Sequence, residues 1–177
     1  MPDYKFTIDM TGDFHEIAAQ VFGKFKGLPV SYLEIGVYEG RSGVWMLDNI
    51  LTNAHSSYVG IDPYETAHRH ALKTALSNFA QHENTRIYVR FSYDILPQFI
   101  VDQFDMIYVD GCHSYVGCKL DLEQAWPLLK SGGVMLCDDY NRDDYGVKQA
   151  VDEFLASLPT DSYKLLYKNY KIAWEKV

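Results

Sequence analysis

The sequence predicts an α/β protein: a seven-stranded, mostly parallel sheet with helices on both faces and an antiparallel hairpin at the C-terminal end. Three observations predict it. Apolar strand-like runs alternate with helical patterns through most of the chain, as in a parallel sheet built with crossover helices. The stretch Tyr32–Val44, YLEIGVYEGRSGV, passes from a hydrophobic strand through a glycine loop into a helical pattern, the opening of a ligand-binding αβ unit. The tail holds two strand patterns, SYKLLYK and YKIAWEK, joined through Asn169, which reads as a hairpin.

Taken in order, residues 11–26 place Phe14, Ile17, Ala18, Val21, Phe22 and Phe25 at helical spacing. Thr11 or Asp13 can cap this helix, and Gly27 with Pro29 ends it. Residues 1–29 are expected to form a helical cover over a core of 30–177, and no linker or repeat marks a second domain. Strand one spans 30–37, and a helix over 42–52 follows with Val44, Leu47, Ile50 and Leu51 on one face. SYVGID is strand two, ending at Asp62-Pro63. Residues 66–82 form a polar-faced helix, whose His68, His70 and His82 lack metal-ligand partners and read as a solvated face. TRIYVRF is strand three, followed by Ser92–Pro97 as a loop and short helix. FDMIYVD is strand four, ending at Asp110, and a helix over 114–129 follows, with Ser131-Gly132-Gly133 as its stop. VMLCDD is strand five, NRDDYG a loop, and 146–157 the last helix, with Val147, Ala150, Val151 and Phe154 inward.

Composition narrows the function. The 177 residues suffice to bury a full core. A net charge of -8 argues against broad nucleic-acid binding, which needs clustered Lys and Arg. No apolar run approaches the roughly 20 residues of a membrane span, and MPDYKFTIDM lacks the apolar core of a signal peptide. Cys112, Cys118 and Cys137 form no C-x-x-C pair and read as reduced thiols in a cytoplasmic setting.

The glycine loop reads E-x-G-x-x-x-G, from Glu34 through Gly36 to Gly40, not the G-x-G-x-x-G of a dinucleotide site. A carboxylate at the strand end repels a pyrophosphate. A ligand with a cationic group and no phosphate fits better, and S-adenosylmethionine is one; structural glycines in a plain strand–turn–helix are the alternative. Asp62 stands roughly 20 residues beyond the loop, where an acid can hold ribose hydroxyls, or it is a turn residue before Pro63. The strand ends carry Glu34, Asp62, Ser92, Asp110, Asp138 and Asp139, and ligands of open α/β sheets bind beyond such ends. With strands one, four and five adjacent, at about 4.8 Å spacing, Asp110 and the Asp138–Asp139 pair converge. Close carboxylates need a proton or a cation among them, and hard oxygen ligands suit Mg²⁺ or Ca²⁺. Asp139 alone can instead cap a helix or pair with Arg142. His113 can take a proton at neutral pH, or cap the following helix, or pack on Tyr115.

The segments LEIGVYEGRSG, IDPY, SYDILPQF, MIYVDGCHSY, LLKSGGVMLCDDY and GVKQAVDEF, in this order and spacing, resemble class I S-adenosylmethionine-dependent methyltransferases over about residues 30–157. The nearer likeness is to metal-dependent small-molecule O-methyltransferases. Catechol O-methyltransferase is similar through E-x-G-x-Y-x-G-x-S and S-x-D-I-x-P-Q. The sugar O-methyltransferases of antibiotic pathways are similar through D-G-x-H-x-Y and the Asp-Asp pair. The resemblance implies a Rossmann-like fold. It implies that Glu34, Gly36, Tyr38, Gly40 and Ser42 hold the methionine part of the cofactor, that Asp62 takes the ribose hydroxyls, and that Ser92 and Tyr93 border the adenine. It implies that Asp110, Asp138 and Asp139 hold the metal. His113 stands where the catechol enzymes carry a catalytic lysine and the sugar enzymes a histidine. The N-terminal segment and the loop after strand five are short where larger relatives build a substrate lid. The pocket is then open, or a second subunit of a homo-oligomer completes it.

The expected activity is S-adenosylmethionine-dependent O-methylation of a small molecule's hydroxyl, on a sugar, polyol or related metabolite. A divalent metal, Mg²⁺, is the expected second cofactor, and Asp110 and His113 are the catalytic candidates. No nucleic-acid or membrane partner is expected. Two rivals stand beside this reading: a catalytically silent cofactor-binding partner subunit, and a nicotinamide-dependent oxidoreductase.

Overall fold

The computed structural model describes residues 3–9, 11–65 and 68–177. Its centre is a seven-stranded sheet in the order β3-β2-β1-β4-β5-β7-β6. The first five strands are β1 (Ser31–Ile35), β2 (Ser57–Ile61), β3 (Thr85–Tyr88), β4 (Phe104–Val109) and β5 (Leu129–Cys137). They pair in parallel. β7 (Ile172–Lys176) runs antiparallel to β5, and β6 (Tyr163–Lys168) completes a hairpin on β7. The helices are α1 (Phe14–Phe22), α2 (Arg41–Asn49), α3 (Arg69–Phe79), α4 (Ser92–Ile95), α5 (Tyr115–Ala125) and α6 (Val147–Ser157).

Side chains alternate between two cores. On β1, Tyr32 enters one core and Leu33 and Ile35 the other; on β4, Met106 and Tyr108 oppose Ile107 and Val109. Strands buried on both faces read as continuous apolar runs, which is why the central strands are legible in the sequence. Helices α1, α2 and α3 cover the first face, where the Phe14 and Tyr108 rings lie 4.7 Å apart between centres. Helices α5 and α6 cover the second, around the fully buried Trp174. The strand order reverses between β1 and β4. Crossovers then leave in opposite directions and open a crevice beyond the carboxyl ends.

One expectation fails. The helix read over 114–129 ends at Ala125, and a single 3₁₀ turn, Trp126–Leu128, carries Pro127. Proline lacks the amide that a continuing helix needs. Ser131-Gly132-Gly133 does not stop a helix but lies within β5, where the pairing with β4 jumps from Leu129 to Val134. A Cβ on Gly133 would meet the Asp105 carbonyl oxygen at 2.9 Å, so glycine there serves the irregular pairing. The helix expected over 66–82 is α3; residues 66 and 67 lie outside the described residues. His68 and His70 are exposed beside Tyr38. No helix among the described residues is long and apolar enough to cross a membrane.

Candidate active site

After β1 the chain turns at Gly36 (φ 90°) and again at Gly40 (φ 81°) before entering α2. Both glycines are required by the protein's own packing. A Cβ on Gly36 would lie 1.8 Å from the Asp110 carbonyl oxygen, and one on Gly40 would lie 2.5 Å from the Phe79 ring. Glu34, near the end of β1, is fully buried. It accepts hydrogen bonds from the Ser42 hydroxyl and, at 2.5 Å, from the Tyr58 hydroxyl. Burial pushes its carboxyl up to about 8; the two hydroxyl donors oppose the rise, and Asp110 and Asp62 add to it.

Asp62, just past β2, is also occupied. Its Oδ2 accepts from the amides of Val37 and Tyr38 at 3.0 and 2.9 Å, and its Oδ1 from the Tyr64 amide at 2.8 Å. The carboxylate thereby fixes the shape of the glycine loop. A carboxylate offers about four acceptor sites, so one remains for a ligand. Beyond the strand ends lies a cavity of about 490 Å³, within the span of small-molecule sites. Phe91, Ser92, Tyr93 and Asp121 form part of its wall. The Phe91 and Tyr93 rings stack at 5.1 Å and are exposed. The Ser92 hydroxyl donates to Asp121. Burial pushes the Asp121 carboxyl up to about 6, against hydrogen bonds from Ser92 and the Cys112 backbone.

On the other side of the strand reversal, Val109 pairs with Cys137, so Asp110 and Asp138 leave the sheet side by side. The acids there have different surroundings. Asp138 Oδ1 lies 2.8 Å from Lys171 Nζ and accepts from the Asp139 amide at 2.7 Å; its Oδ2 accepts from the Tyr108 hydroxyl. Asp139 adopts a left-handed backbone, φ 54°. Its Oδ1 accepts from the Tyr170 hydroxyl, and its Oδ2 lies 3.3 Å from His113 Nε2. Asp110 Oδ1 lies 3.5 Å from the same nitrogen. Donor atoms of Asp110, His113 and Asp139 all fall within 4.8 Å of one another.

His113 Nε2 is buried and has no hydrogen-bond partner. Its ring stacks on Tyr145 at 4.4 Å, and the Arg142 guanidinium lies over Tyr145 at 4.0 Å. Asp110 raises the proton affinity of His113, burial opposes it, and Asp139 and Asp138 add to the rise. Burial pushes the Asp110 carboxyl up, His113 pulls it down, and Asp138 and Asp139 push it up again. One imidazole nitrogen facing two carboxylate oxygens, in no well-aligned hydrogen bond to either, is a donor set that fits a divalent cation.

A family model described as a methyltransferase domain matches residues 33–140, the span that carries the glycine loop, Asp62, Asp110 and both members of the Asp138–Asp139 pair. The chain belongs to this methyltransferase family. Among solved structures, the O-methyltransferase NovP is similar at a TM-score of 0.71 and 20% identity, over 93% of this chain and 78% of that one. An O-methyltransferase from Bacillus cereus, in complex with SAH, is similar at a TM-score of 0.67 and 18% identity, over 99% and 84%. An uncharacterized protein of Acanthamoeba polyphaga mimivirus, R132, is 29% identical over 160 residues, 85% of this chain and 70% of that protein. The resemblance to class I methyltransferases and the Rossmann-like seven-stranded fold, both expected from the sequence, are borne out. The nicotinamide-dependent oxidoreductase gains no support.

In the methyltransferase, Gly36, Tyr38, Ser42, Asp62, Ser92, Tyr93, Asp110 and His113 line the cavity, while Glu34 and Gly40 are not part of its wall. Asp139 stands beside His113, and Asp138 faces Lys171. Sequence reasoning missed Phe91, Asp121, Tyr170 and Lys171. Asp121 left a signal: it shares the apolar stripe of α5 with Cys118, Leu122 and Ala125, and an acid on a buried face calls for a partner. Lys171, 2% exposed, left no signal short of the folded hairpin.

Proposed function

We propose that this methyltransferase moves the methyl group of S-adenosylmethionine to a hydroxyl of a small molecule, a sugar, polyol or related metabolite, beside a divalent cation. The observation that carries this reading is the convergence of Asp139 with Asp110 and His113, the last two in the wall of a cavity that also holds Asp62, Phe91 and Tyr93. The donor fits this cavity in three places. The open acceptor site on Asp62 suits ribose hydroxyls, Ser92 and the exposed aromatic pair suit a purine, and Tyr38 and Ser42 border the methionine end. The SAH in the similar Bacillus cereus enzyme supports that choice.

Asp110 and Asp139 would hold the cation, Mg²⁺ or another hard divalent ion. Bound there, a cation would orient an acceptor hydroxyl and make it more acidic. The protein's own groups supply the alignment. Glu34 and Asp62 hold the loop that sets where the donor lies, and such positioning is worth several kcal/mol. Two roles are open to His113. Its Nε2, grouped with the Asp110 and Asp139 oxygens and in no well-aligned hydrogen bond, favours a third ligand. Its place in the cavity wall, with Nε2 within 3.5 Å of Asp110 and Asp139, favours a base that receives the hydroxyl proton at Nε2. The acceptor side is taken to be open or completed by a second copy of the chain, and no nucleic-acid partner enters this reading.

Calorimetry with S-adenosylhomocysteine and with Mg²⁺ or Mn²⁺ tests the proposal. Wild-type protein that binds no S-adenosylhomocysteine sinks the donor assignment. Turnover on hydroxylated acceptors that is indifferent to EDTA sinks the cation. His113→Ala separates the two roles of the imidazole. Loss of cation affinity makes it a ligand. Retained affinity with kcat lowered about 10²–10⁴-fold makes it the base.

A further inference from the structure

We infer that the turn of the C-terminal hairpin divides the labour of the two adjacent aspartates: Lys171 withdraws Asp138 from the cation site, and Tyr170 presents Asp139 to it. The inference rests on the cation reading above and adds two positioning residues to it.

Consecutive acids at the end of a strand would be expected to act together. Here they are held apart by consecutive residues of one turn. Lys171 is almost fully buried, with Nζ 2.8 Å from Asp138 Oδ1 and 3.1 Å from Asp13 Oδ1, beside the start of α1. A buried ammonium is tolerated only when paired. Turning Asp138 toward a cation would leave Lys171 with the half-exposed Asp13 alone. Asp138 also accepts from the Tyr108 hydroxyl and the Asp139 amide, so a cation would compete with three donors for it. The lysine neutralises one of three neighbouring carboxylates and leaves the site with two.

Asp139 is treated in the opposite way. The Tyr170 hydroxyl occupies only Oδ1 and leaves Oδ2 facing His113. Asp139 holds a left-handed backbone, φ 54°, unlike Asp138 before it, a conformation that aspartate tolerates better than most non-glycine residues. The turn itself is anchored. The Asn169 amide donates to the Lys171 carbonyl at 2.8 Å, and the Asn141 amide, just past β5, donates to the Tyr170 carbonyl at 3.3 Å. Tyr170 and Lys171 therefore sit in fixed register beneath the acids they hold.

The test is titration of the full chain with Mn²⁺ by calorimetry, with S-adenosylhomocysteine affinity and melting temperature measured on each variant. Asp139→Asn is expected to remove Mn²⁺ binding. Tyr170→Phe, which loses only a hydroxyl, is expected to weaken it about 10–100-fold, the usual effect of removing a group that orients a ligand. The neutral pair Asp138→Asn with Lys171→Met is expected to stay within about threefold of wild type, below that span. S-adenosylhomocysteine affinity should not move in any of them. Tyr170→Phe that binds Mn²⁺ like wild type overturns the role of the tyrosine. A neutral pair that loses binding as fully as Asp139→Asn makes Asp138 a ligand and overturns the role of the lysine. Wild type that binds no divalent ion removes the cation reading, and the inference falls with it.

Discussion

The two sides of the site both carry acids at or near strand ends and treat them differently. On the β1–β2 side, Glu34 and Asp62 spend their oxygens on Ser42, Tyr58 and three backbone amides. On the β4–β5 side, Asp110 and Asp139 face an imidazole nitrogen that has no hydrogen-bond partner. An acid at a strand end is therefore not by itself a ligand contact. The donors around it decide. The carboxylates with more donors build the platform, Asp62 keeping one acceptor site for a ligand, and those with fewer are left with charge to offer.

The largest effect is expected where the two sides touch. Gly36 meets the Asp110 carbonyl, and the Asp110 amide donates to the Ile35 carbonyl at 2.8 Å, so neither strand end can step aside. Gly36→Ala adds a clash to a positive φ and should cost about 2–5 kcal/mol, from overpacking together with left-handed strain. Denaturant midpoints measure it. A variant as stable as wild type would mean that the two sides are not locked together.

A smaller effect separates the sides by pH. The folded value of Glu34 is about 8, against an ordinary value of 4.5. Between these the folded state keeps a proton that the unfolded chain has released. This contribution to stability is fully present below 4.5 and is lost as pH rises through 8, at up to about 1.4 kcal/mol per pH unit. Glu34→Gln cannot ionise. At low pH it should be less stable than wild type by about 1 kcal/mol, because its amide cannot accept from both hydroxyls. The gap should close and reverse as pH rises. Asp110 and Asp121 titrate in both proteins and cancel in the difference. Parallel stability curves would show that Glu34 is an ordinary carboxylate.

Much of this was legible in the chain, for physical reasons. Strands buried on both faces announce themselves as apolar runs, and the alternation with helices dictates a parallel sheet whose ends carry the acids. The end of α5 was not legible, because Leu128 and Leu129 continue its apolar pattern past Pro127 and only the pairing of β5 with β4 shows where the strand begins. Nor was the division within Asp138–Asp139. It depends on a left-handed backbone at a non-glycine residue and on Lys171, which arrives from the far end of the chain. Asp62 lines the cavity, yet its hold on the loop amides follows from the turn after Gly36, which spacing alone does not describe.

The smallest predicted effect sharpens the comparison most. Tyr145 touches the unsaturated side alone, through its stack on His113. The His113 carbonyl accepts from the Gly146 amide at 3.0 Å, so the backbone there stays put when Tyr145 is changed and only the imidazole gains freedom. An aromatic pair contributes about 0.5–1.5 kcal/mol beyond its buried area. If the stack aims Nε2 between Asp110 and Asp139, Tyr145→Leu should weaken Mn²⁺ binding by about 2–12-fold, that range of energy expressed as affinity. Tyr145→Phe keeps the ring and should restore it. S-adenosylhomocysteine should bind both variants like wild type, because no atom of the platform side has moved. Unchanged Mn²⁺ affinity in Tyr145→Leu would show that the two carboxylates orient the imidazole unaided. A parallel loss of S-adenosylhomocysteine affinity would break the comparison itself, since the two sides would then respond as one.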